Sequence, residues 1–453
     1  MTERWTAREA LSAVTDRFDE LPHKDAEFKG DGPIDWQGYG VARARAAGRT
    51  GEAESVIPGT ARIDGCETVL IAFEFGFLGG SLGERTGDRI EAAYEHARAH
   101  RLPVVSLLAT GGSRMQEGMR ALTQLQRVAR QSALHRAAGL AQIAVLRDPA
   151  TGGGWATLGA GADLTLALPG AQIGFAGSRV RPAGADPWAY SAEGQLAAGA
   201  IDAVVPAARL RRALGSRLRL LTGGDPAGSP DPVPPPRALG RTDTAGTGRD
   251  AVRRARDPER PRARAYLADW LEERVEVRGD RCGGVDAGMV CGFGLHAGRP
   301  VAYAAQCGTA TRPAGFRTAA RLIRLAGRLG IPVLTLIDTP GAANDAEAER
   351  AGAGAAIAEA FAAVAESPVP VTSLVVGEGG SGGALALAAP GNTWATPDSY
   401  FSVIAPEAAA AILKRDPGDA DATADQLRLR PQDLVDLGVV RAVVGNSLTQ
   451  HSW

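Results

Sequence analysis

Short apolar runs alternate with segments of helical spacing along most of this chain. The runs predict buried strands, and the segments between them predict helices. In the first half the predicted strands are 69–75, 104–108, 142–146 and 164–168, and the predicted helices are 83–99, 115–138 and 155–162. Strands and helices in this alternating order imply parallel strands joined by crossover helices. The pattern therefore places the chain in the α/β class.

The same order of elements returns in the second half. A hairpin around 292–304 is followed by a helix over 314–329, a strand over 332–337, a helix over 346–365 and another apolar run from Leu374. Thr110 and Thr339 lie 229 residues apart in matching words, and Gly153 and Gly383 lie 230 apart. Two blocks in register over such a distance predict two homologous half-chains.

Before the first repeat, residues 5–18 have the apolar spacing of a helix with Thr6 as its N-cap. Residues 61–66 and 69–75 predict a hairpin that turns at Asp64 and Gly65.

Between the halves, residues 223–236 are dominated by Pro and Gly, and nine arginines follow up to Arg264. We therefore predict a first domain over 1–220, a Pro/Arg-rich linker over 221–262 and a second domain over 263–453. Two interpretations of the arginines remain open: they balance nearby acids in solvent, or some bind a phosphorylated ligand or an acidic partner.

Composition excludes several function classes. The 453 residues carry 50 basic and 51 acidic side chains, a net charge of −1, which favours neither nucleic acid nor a membrane surface as a partner. The four cysteines lack CxxC spacing, so no metal site is predicted and they are expected to be buried free thiols. The first residues contain no apolar signal core, and we expect a cytoplasmic protein.

Two glycine-rich loops carry the candidate chemistry. Each follows an apolar strand and precedes small, helix-compatible residues, within 143–157 and 374–387. Glycine lets another molecule approach the backbone, and the free N–H groups of a helix start favour negative charge. Such loops suit an oxyanion, a phosphate or an enolate.

Two other chemistries fit parts of these loops. Gly-x-Ser-x-Gly around Ser81 and Ser381 is typical of a nucleophile elbow, but no histidine follows an acid in the order an α/β-hydrolase needs, and after Ser381 only His451 remains. Gly377-Glu-Gly-Gly-Ser-Gly382 spells a dinucleotide-binding word, yet Asp398 precedes a strand instead of ending one. A reaction that needs two oxyanion sites is transfer of a carboxyl group between a thioester enolate and the ureido oxygen of carboxybiotin, with backbone amides as donors.

The residues also resemble a known family. Asp148-Pro-Ala-Thr-Gly-Gly153, with 73–83, 109–117, 173–180 and 199–202, is similar to the β subunit of bacterial acetyl-CoA carboxylase carboxyltransferase. Gly377-Glu-Gly-Gly-Ser-Gly-Gly-Ala384, with 256–261, 279–281, 336–342 and 400–407, is similar to its α subunit. The chain thus resembles a fusion of the two subunits.

The resemblance implies two crotonase-like ββα-spiral domains and a carboxyltransferase that converts acetyl-CoA to malonyl-CoA, in fatty acid or polyketide biosynthesis. It implies an acyl-CoA on the first half and biotin, as carboxybiotin on a separate carrier protein, on the second. The expected partners are the biotin carboxyl carrier protein and biotin carboxylase, and the expected assembly is a homodimer with each active site shared between protomers. The implied oxyanion donors are Gly152, Gly153, Gly382 and Gly383. The implied substrate-binding residues are Gly111, Gly112, Ser113, Arg114, Trp155, Phe175, Ala176, Gly177, Thr339, Pro340, Gly341, Gly379 and Gly380.

The chain departs from that family in four places, one of them the Pro-rich linker that stands where the α subunit has its leading helix. It lacks the β subunit's zinc ribbon, shortens a basic segment of the α subunit to 306–315, and places Trp155 where small residues are usual. A biotin-independent decarboxylase of a malonyl thioester, which needs only one of the two loops, therefore stays open as an alternative.

Overall fold

A computed structural model describes residues 4–23 and 30–445. The chain forms two compact units, Met1–Thr222 and Gly223–Trp453. His451 lies outside the described residues. No helix among the residues described is long and apolar enough to cross a membrane.

The first unit is built on an eight-stranded sheet whose main path runs β1-β2-β3-β4-β5-β6-β8, with β7 paired to β5. Its strands are β1 Arg17–Glu20, β2 Val56–Ile63, β3 Cys66–Phe73, β4 Val104–Thr110, β5 Gln142–Thr151, β6 Leu164–Ala167, β7 Ile173–Gly174 and β8 Ala203–Val204. Its helices are α1 Ala7–Val14, α2 Tyr39–Thr50, α3 Glu84–Ala99, α4 Gly118–Ala137, α5 Gly152–Gly154, α6 Ala192–Ala197 and α7 Leu210–Thr222. The strands β3, β4, β5 and β6 are parallel, as the alternating pattern predicts.

The second unit is built on a seven-stranded sheet in the order β14-β13-β12-β11-β10-β9, with β15 paired to β13. Its strands are β9 Arg274–Val277, β10 Met289–His296, β11 Arg299–Gln306, β12 Val333–Thr339, β13 Val371–Gly380, β14 Thr393–Ala395 and β15 Tyr400–Ser402. Its helices are α8 Gly248–Arg256, α9 Ala263–Trp270, α10 Pro313–Leu329, α11 Ala346–Arg350, α12 Ala353–Ala365, α13 Ser381–Leu385, α14 Pro406–Ile412, α15 Ala420–Gln426 and α16 Pro431–Asp436.

Local signals set several of these elements. Thr6 caps α1 through a reciprocal capping box with Glu9. The hairpin of β2 and β3 turns at Asp64 and Gly65, which both have positive φ, as a tight two-residue turn requires. The predicted N-cap and the predicted hairpin are thus both confirmed.

The two units repeat each other residue by residue around their parallel strands. Thr110 pairs with Ala150 in the first unit, and Thr339 pairs with Gly379 in the second. The helices α3 and α10 begin 229 residues apart, and so do α5 and α13. The predicted duplication is visible in the strand pairing itself. The offset is 229 from the start of α3 to the start of α5, and 233 in the preceding strands, since Val69 pairs with Val104 as Ala302 pairs with Val333.

The structure differs from four sequence predictions. The helix predicted over 5–18 ends at Val14, and Arg17–Glu20 forms β1. The predicted linker over 221–262 contains α8, which Thr247 caps and whose Ala251 and Ala255 are buried. The predicted helix over 346–365 is broken at Gly352, which has a φ of +78°. Residues 155–159 form one π-helical turn where a longer helix was expected.

The linker arginines are largely paired with acids. Ion pairs join Arg237 to Asp269, Arg249 to Asp421, Arg254 to Asp243 and Asp250, Arg256 to Glu378 and Glu407, and Arg260 to Asp338. This arrangement agrees with the interpretation that they balance nearby acids.

Candidate functional site

The first glycine loop begins where β5 ends. Gly152 has a φ of +66°, and a Cβ on it would lie 2.9 Å from the Cα of Gly112, so a side chain is excluded twice over. Its N–H donates to the carbonyl of Phe175 at 3.1 Å. The predicted role of Gly152 as an oxyanion donor is therefore corrected, because its N–H is already used within the unit.

The next two amides are the available donors of this loop. Gly153 and Gly154 occupy the first turn of α5, where no carbonyl precedes them in the helix. We find no acceptor for either N–H in the part of the chain that the structure describes. A Cβ on Gly153 would lie 2.4 Å from Leu125, and one on Gly154 would lie 2.6 Å from Thr110, so both positions need glycine.

The turn after β4 lies against this loop. Thr110 Oγ1 accepts from the N–H of Gly112 at 3.1 Å, and a Cβ on Gly112 would come within 3.6 Å of the Gly152 Cα. Gly111 is exposed, while Ser113 is half-buried and forms an isolated bridge with Leu82. The structure thus brings the predicted residues Gly111, Gly112 and Ser113 together with the glycine loop.

Arg114, however, does not face a ligand. Its side chain has no exposed area, and its guanidinium bonds to Glu54 at 2.5 Å and to Glu117 at 3.3 Å. The same group donates to the Ser81 carbonyl at 2.7 Å and to Ser81 Oγ at 3.1 Å. Arg114 therefore joins the turn after β4 to Glu54 and Ser81 inside the unit and does not make the predicted substrate contact.

The network around Arg114 lowers the pKa of the buried Glu54. Desolvation pushes its pKa upward, but the charge and hydrogen bonds of Arg114 outweigh this, so the pKa of Glu54 lies below its ordinary value. Tyr39 and Glu117 complete the cluster. The polar groups of this cluster therefore bond to one another inside the unit.

The remaining predicted residues of the first unit separate into two groups. Trp155 is 8% exposed and packs in the hydrophobic core with Leu146 and Leu158, so it fills the core and forms no pocket wall. Phe175 is 73% exposed. Ala176 and Gly177 are half-buried beside it, and the Cβ position of Gly177 is 3.7 Å from Thr151 Oγ1. The strip 175–177 therefore borders the glycine loop, as the resemblance implies.

The second glycine loop begins at the end of β13. Ser381 has a φ of +54°, an unusual value for a residue with a Cβ, and its side chain is exposed. At Gly382 a Cβ would meet nothing within 4 Å, whereas at Gly383 it would lie 2.3 Å from the N of Ala342. Among the described residues we find no acceptor for the N–H of Gly382 or Gly383, both in the first turn of α13.

A turn after β12 supports this loop. Thr339 Oγ1 accepts from the N–H of Gly341 at 3.1 Å, the same bond that Thr110 makes in the first unit. A Cβ on Gly380 would lie 2.0 Å from the Pro340 carbonyl. Pro340 is exposed and Gly341 is half-buried, so these two lie at the surface beside the loop.

Three of the predicted residues in this region are packing positions. Thr339 has no exposed area and Gly380 is buried. Gly379 is buried too, and a Cβ on it would meet Phe401 at 2.6 Å. These residues allow β13 to pack closely against β12 and β15. They do not lie at the surface, where the predicted ligand contact would need them.

The matched strands also correct the pairing between the loops. An offset of 229 relates Gly153 to Gly382 and Gly154 to Gly383, whereas the sequence comparison paired Gly153 with Gly383. In this register the amides without an acceptor occupy equivalent positions in the two units. Gly154 is the donor that sequence reasoning missed, and the Thr110–Thr339 spacing was the signal that would have revealed it.

Buried and half-buried charges lie behind the second loop. Asp338 is fully buried, and its Oδ1 accepts from Arg260 at 2.6 Å and from the N–H of Glu378 at 3.2 Å. Burial raises the pKa of Asp338 despite the nearby Arg260. Glu378 also accepts from Arg256 and from Tyr400, each at 2.8 Å. These bonds fix the strand that leads into the loop.

The geometry offers amides and no nucleophile with a base. Ser81 is buried and bonded to Arg114, and no hydrogen bond joins Ser381 to a histidine within the described ranges. No group of three or more metal-ligating side chains lies together in residues 4–23 and 30–445. Of the cysteines, Cys291 is buried but Cys282 is exposed, so the expectation of four buried thiols is wrong. Each unit thus presents two backbone N–H groups at the carboxyl ends of its strands, as an oxyanion site requires.

Parts of this chain are similar to known protein families. Residues 39–221 match the family model of the carboxyl transferase domain, and residues 247–451 match that of acetyl co-enzyme A carboxylase carboxyltransferase-like proteins. The chain is 40% identical to the acetyl-coenzyme A carboxylase carboxyl transferase subunits beta/alpha of Salinispora arenicola, over 97% of this chain and 81% of that protein. It is 36% identical to a probable biotin-dependent acyl-coenzyme A carboxylase beta3 subunit of Mycobacterium tuberculosis, over 89% and 82%.

Solved structures show the same fold. The transcarboxylase 12S core superposes with a TM-score of 0.78 at 22% identity, covering 98% of this chain and 87% of that one. A single-chain, multi-domain long-chain acyl-CoA carboxylase gives 0.73 at 19% identity, covering 98% and 46%. Both units thus have the expected crotonase-like fold. From the relatives and the two family models, the chain belongs to the biotin-dependent acyl-CoA carboxyltransferases, with β-like and α-like halves fused in one polypeptide.

Proposed function

We propose that this protein transfers a carboxyl group between carboxybiotin and acetyl-CoA, forming malonyl-CoA, and that the paired amides of the two glycine loops are its oxyanion donors. The observation that carries the proposal is the register of the free amides, Gly153 and Gly154 in one unit with Gly382 and Gly383 in the other. Acetyl-CoA as the acyl substrate is supported by the name of the 40%-identical relative.

In this mechanism the chain works through its backbone. Carboxybiotin, on a separate carrier protein, supplies the carboxyl group. The N–H groups of Gly153 and Gly154 would bind the thioester oxygen and stabilise the enolate. The proton of the α-carbon would pass to the ureido nitrogen from which the carboxyl group departs, so that biotin leaves uncarboxylated and neutral. The N–H groups of Gly382 and Gly383 bind the ureido oxygen. Each such donor contributes roughly 3 kcal/mol to the transition state in a preorganised site.

The donor residues fit these oxygens because their amides are fixed before any ligand arrives. Neighbours pack closely against both loops, because a Cβ on Gly153 would meet Leu125 and one on Gly383 would meet Ala342. Both loops keep their glycines, their supporting threonine turn and their unpaired N–H groups. This favours a reaction that uses both and gives no support to the decarboxylase alternative, which uses one.

The variant Gly382→Val tests the second loop. Because a Cβ there meets nothing within 4 Å, the added side chain leaves the packing intact, and we expect it to hinder a ligand that binds this exposed turn. Gly383→Val is unsuitable, since its Cβ would lie 2.3 Å from Ala342 N and disturb the fold. The matched control is Gly354→Val, which also changes an exposed glycine at the second position of a helix with open space around it.

The assay follows malonyl-CoA decay with and without free biotin. We expect biotin-dependent transfer by the native chain and by Gly354→Val, and about a hundredfold loss in Gly382→Val at an unchanged melting temperature. Decay that needs no biotin would instead support a decarboxylase. Malonyl-CoA should exceed methylmalonyl-CoA in kcat/KM by about tenfold, the discrimination that one methyl group commonly gives; the opposite order would reject acetyl-CoA as the substrate.

A further inference from the structure

Gln306 is a buried polar side chain that contacts the second glycine loop. It is the last residue of β11 and has no exposed area. Its Nε2 donates to the carbonyl of Gly383 at 3.0 Å and to Thr311 Oγ1 at 3.1 Å. One amide group therefore joins the end of β11 to the donor loop and to the segment before α10.

The Gly383 carbonyl needs this donor. In a continuing helix it would accept from the N–H four residues on, at Leu387. That N–H instead donates to Ala384 at 3.2 Å, because α13 ends at Leu385. A buried carbonyl without a partner is costly, so Gln306 supplies the bond that the short helix cannot.

A chain of hydroxyl groups fixes the orientation of the amide. Thr311 Oγ1 donates to Thr339 Oγ1 at 3.4 Å, and Thr339 donates to the Gly341 carbonyl at 2.7 Å. Thr311 must therefore accept from Gln306, and turning the amide over would oppose Oε1 to the Gly383 carbonyl. In the observed orientation Gln306 Oε1 is buried without a partner among the described residues. This cost is consistent with a residue retained for where its N–H groups point.

The first unit holds its loop differently. Strand pairing places Phe73 at the position that Gln306 occupies, because Val56 pairs with Phe73 as Met289 pairs with Gln306. Phe73 is fully buried and apolar, so its side chain offers no hydrogen-bond donor to the first glycine loop. The glutamine is thus a property of the second unit and not a common requirement of the fold.

We propose that Gln306 is the positioning residue of the second glycine loop, holding the Gly383 carbonyl so that the N–H groups of Gly382 and Gly383 stay aimed at the ligand. The identity of that ligand, the ureido oxygen, rests on the proposed function. The positioning itself rests only on the contacts of Gln306.

Gln306→Leu tests the proposal against a matched control. Gln142→Leu also removes a buried glutamine that donates to a backbone carbonyl, Ser132 at 3.1 Å, but at the start of β5 and far from its glycine loop along the strand. We expect Gln306→Leu to lower kcat of carboxyl transfer to biotin by about tenfold to a hundredfold, the loss that a misplaced donor produces. The KM for malonyl-CoA should change less than twofold. Gln142→Leu should lower the melting temperature and leave kcat within twofold.

Gln306→Glu supplies a readout that general destabilisation does not move. A neutral carboxyl can donate to the Gly383 carbonyl, whereas the ionised form cannot and repels it. Activity of this variant should therefore fall as pH rises, with a one-proton dependence absent from the native chain. A pH profile parallel to the native one, with Gln306→Leu within twofold of native kcat, would overturn the positioning role.

Hydrogen exchange separates this proposal from the proposed function. Amides over 381–387 should exchange faster in Gln306→Leu and unchanged in Gln142→Leu, whatever reaction the native chain catalyses. Equal protection in both variants would reject the positioning role, even if carboxyl transfer by the native chain is observed.

Discussion

A substitution of Arg114 distinguishes a residue that stabilises the fold from one that binds the substrate. The structure predicts that Arg114→Met damages stability far more than substrate affinity. The change removes the guanidinium that pairs with Glu54 and Glu117. Water cannot replace it, because these two side chains are only 1% and 2% exposed. Removing one partner of a buried ion pair costs about 3–5 kcal/mol. For a unit of this size that corresponds to a fall in melting temperature of roughly 6–20 °C.

A double-mutant cycle measures the contact directly. Glu54→Gln removes the charge that Arg114 meets at 2.5 Å, so the double variant should be less destabilised than the sum of the single changes. We expect a coupling free energy of about 2–3 kcal/mol from denaturant unfolding. Arg127→Met is the control, because its pairs with Asp88 and Glu91 are partly exposed and should contribute about 0–1 kcal/mol.

The pH dependence of stability follows from the same network. The folded state holds the pKa of Glu54 below its unfolded value, so the pair stabilises the fold at pH values above the unfolded pKa. That contribution is lost as pH falls through the lower folded pKa, and Glu54→Gln should flatten this acid limb. The reasoning fails if Arg114→Met keeps the native melting temperature while the KM for malonyl-CoA rises tenfold, since Arg114 would then bind substrate.

Three further outcomes are expected. Gly153→Ala should lose most of the activity and lower the melting temperature, because its Cβ would lie 2.4 Å from Leu125. Adding Leu125→Ala should restore part of the melting temperature. If it does not, the collision with Leu125 is not the cause of the loss. Maleimide should label the exposed Cys282 first and Cys291 only on unfolding, because Cys291 is buried and burial raises the pKa of its thiol. Mass spectrometry of timed digests gives the order of labelling, and early labelling of Cys291 would contradict its burial. The resemblance implies that each active site takes one glycine loop from each protomer. Mixing the inactive double variant Gly153→Ala/Leu125→Ala, in which the smaller residue 125 leaves room for the new Cβ, with inactive Gly382→Val under subunit exchange should then restore activity. Absence of recovery, with exchange verified, would argue for active sites within one protomer.

The sequence carries the fold because the duplicated halves keep their apolar runs. The 229-residue spacing of the threonines survives into the strand pairing, and the hairpin at Asp64 and the start of α10 follow from local turn and helix signals. The helix α8 was missed because arginine dominates its composition, although Thr247 and Asp250 form an N-terminal capping contact and its alanines are buried. The proline and arginine content predicts a linker, but the segment forms a helix because its alanine face is buried against the rest of the unit.

The site was predicted in outline, and its details depend on three-dimensional contacts. The glycines were found by their spacing, but which amides are free depends on Phe175 accepting from Gly152, a contact across 23 residues that no local pattern reveals. Trp155 and Arg114 both adjoin glycine words, and both face the interior. Gln306 has no motif of its own. Its role emerges only when β11 is placed against the short helix α13.

The open space at Gly382 makes the second loop unusually convenient to probe. In the variant Gly382→Cys, with Cys282 changed to Ser, a thiol would lie in front of the amides without displacing any neighbour within 4 Å. Because a side chain at this position hinders a ligand on the loop, the rate of alkylation of that thiol would measure how accessible the loop is to solvent. It would report the state of the second loop alone, without any turnover.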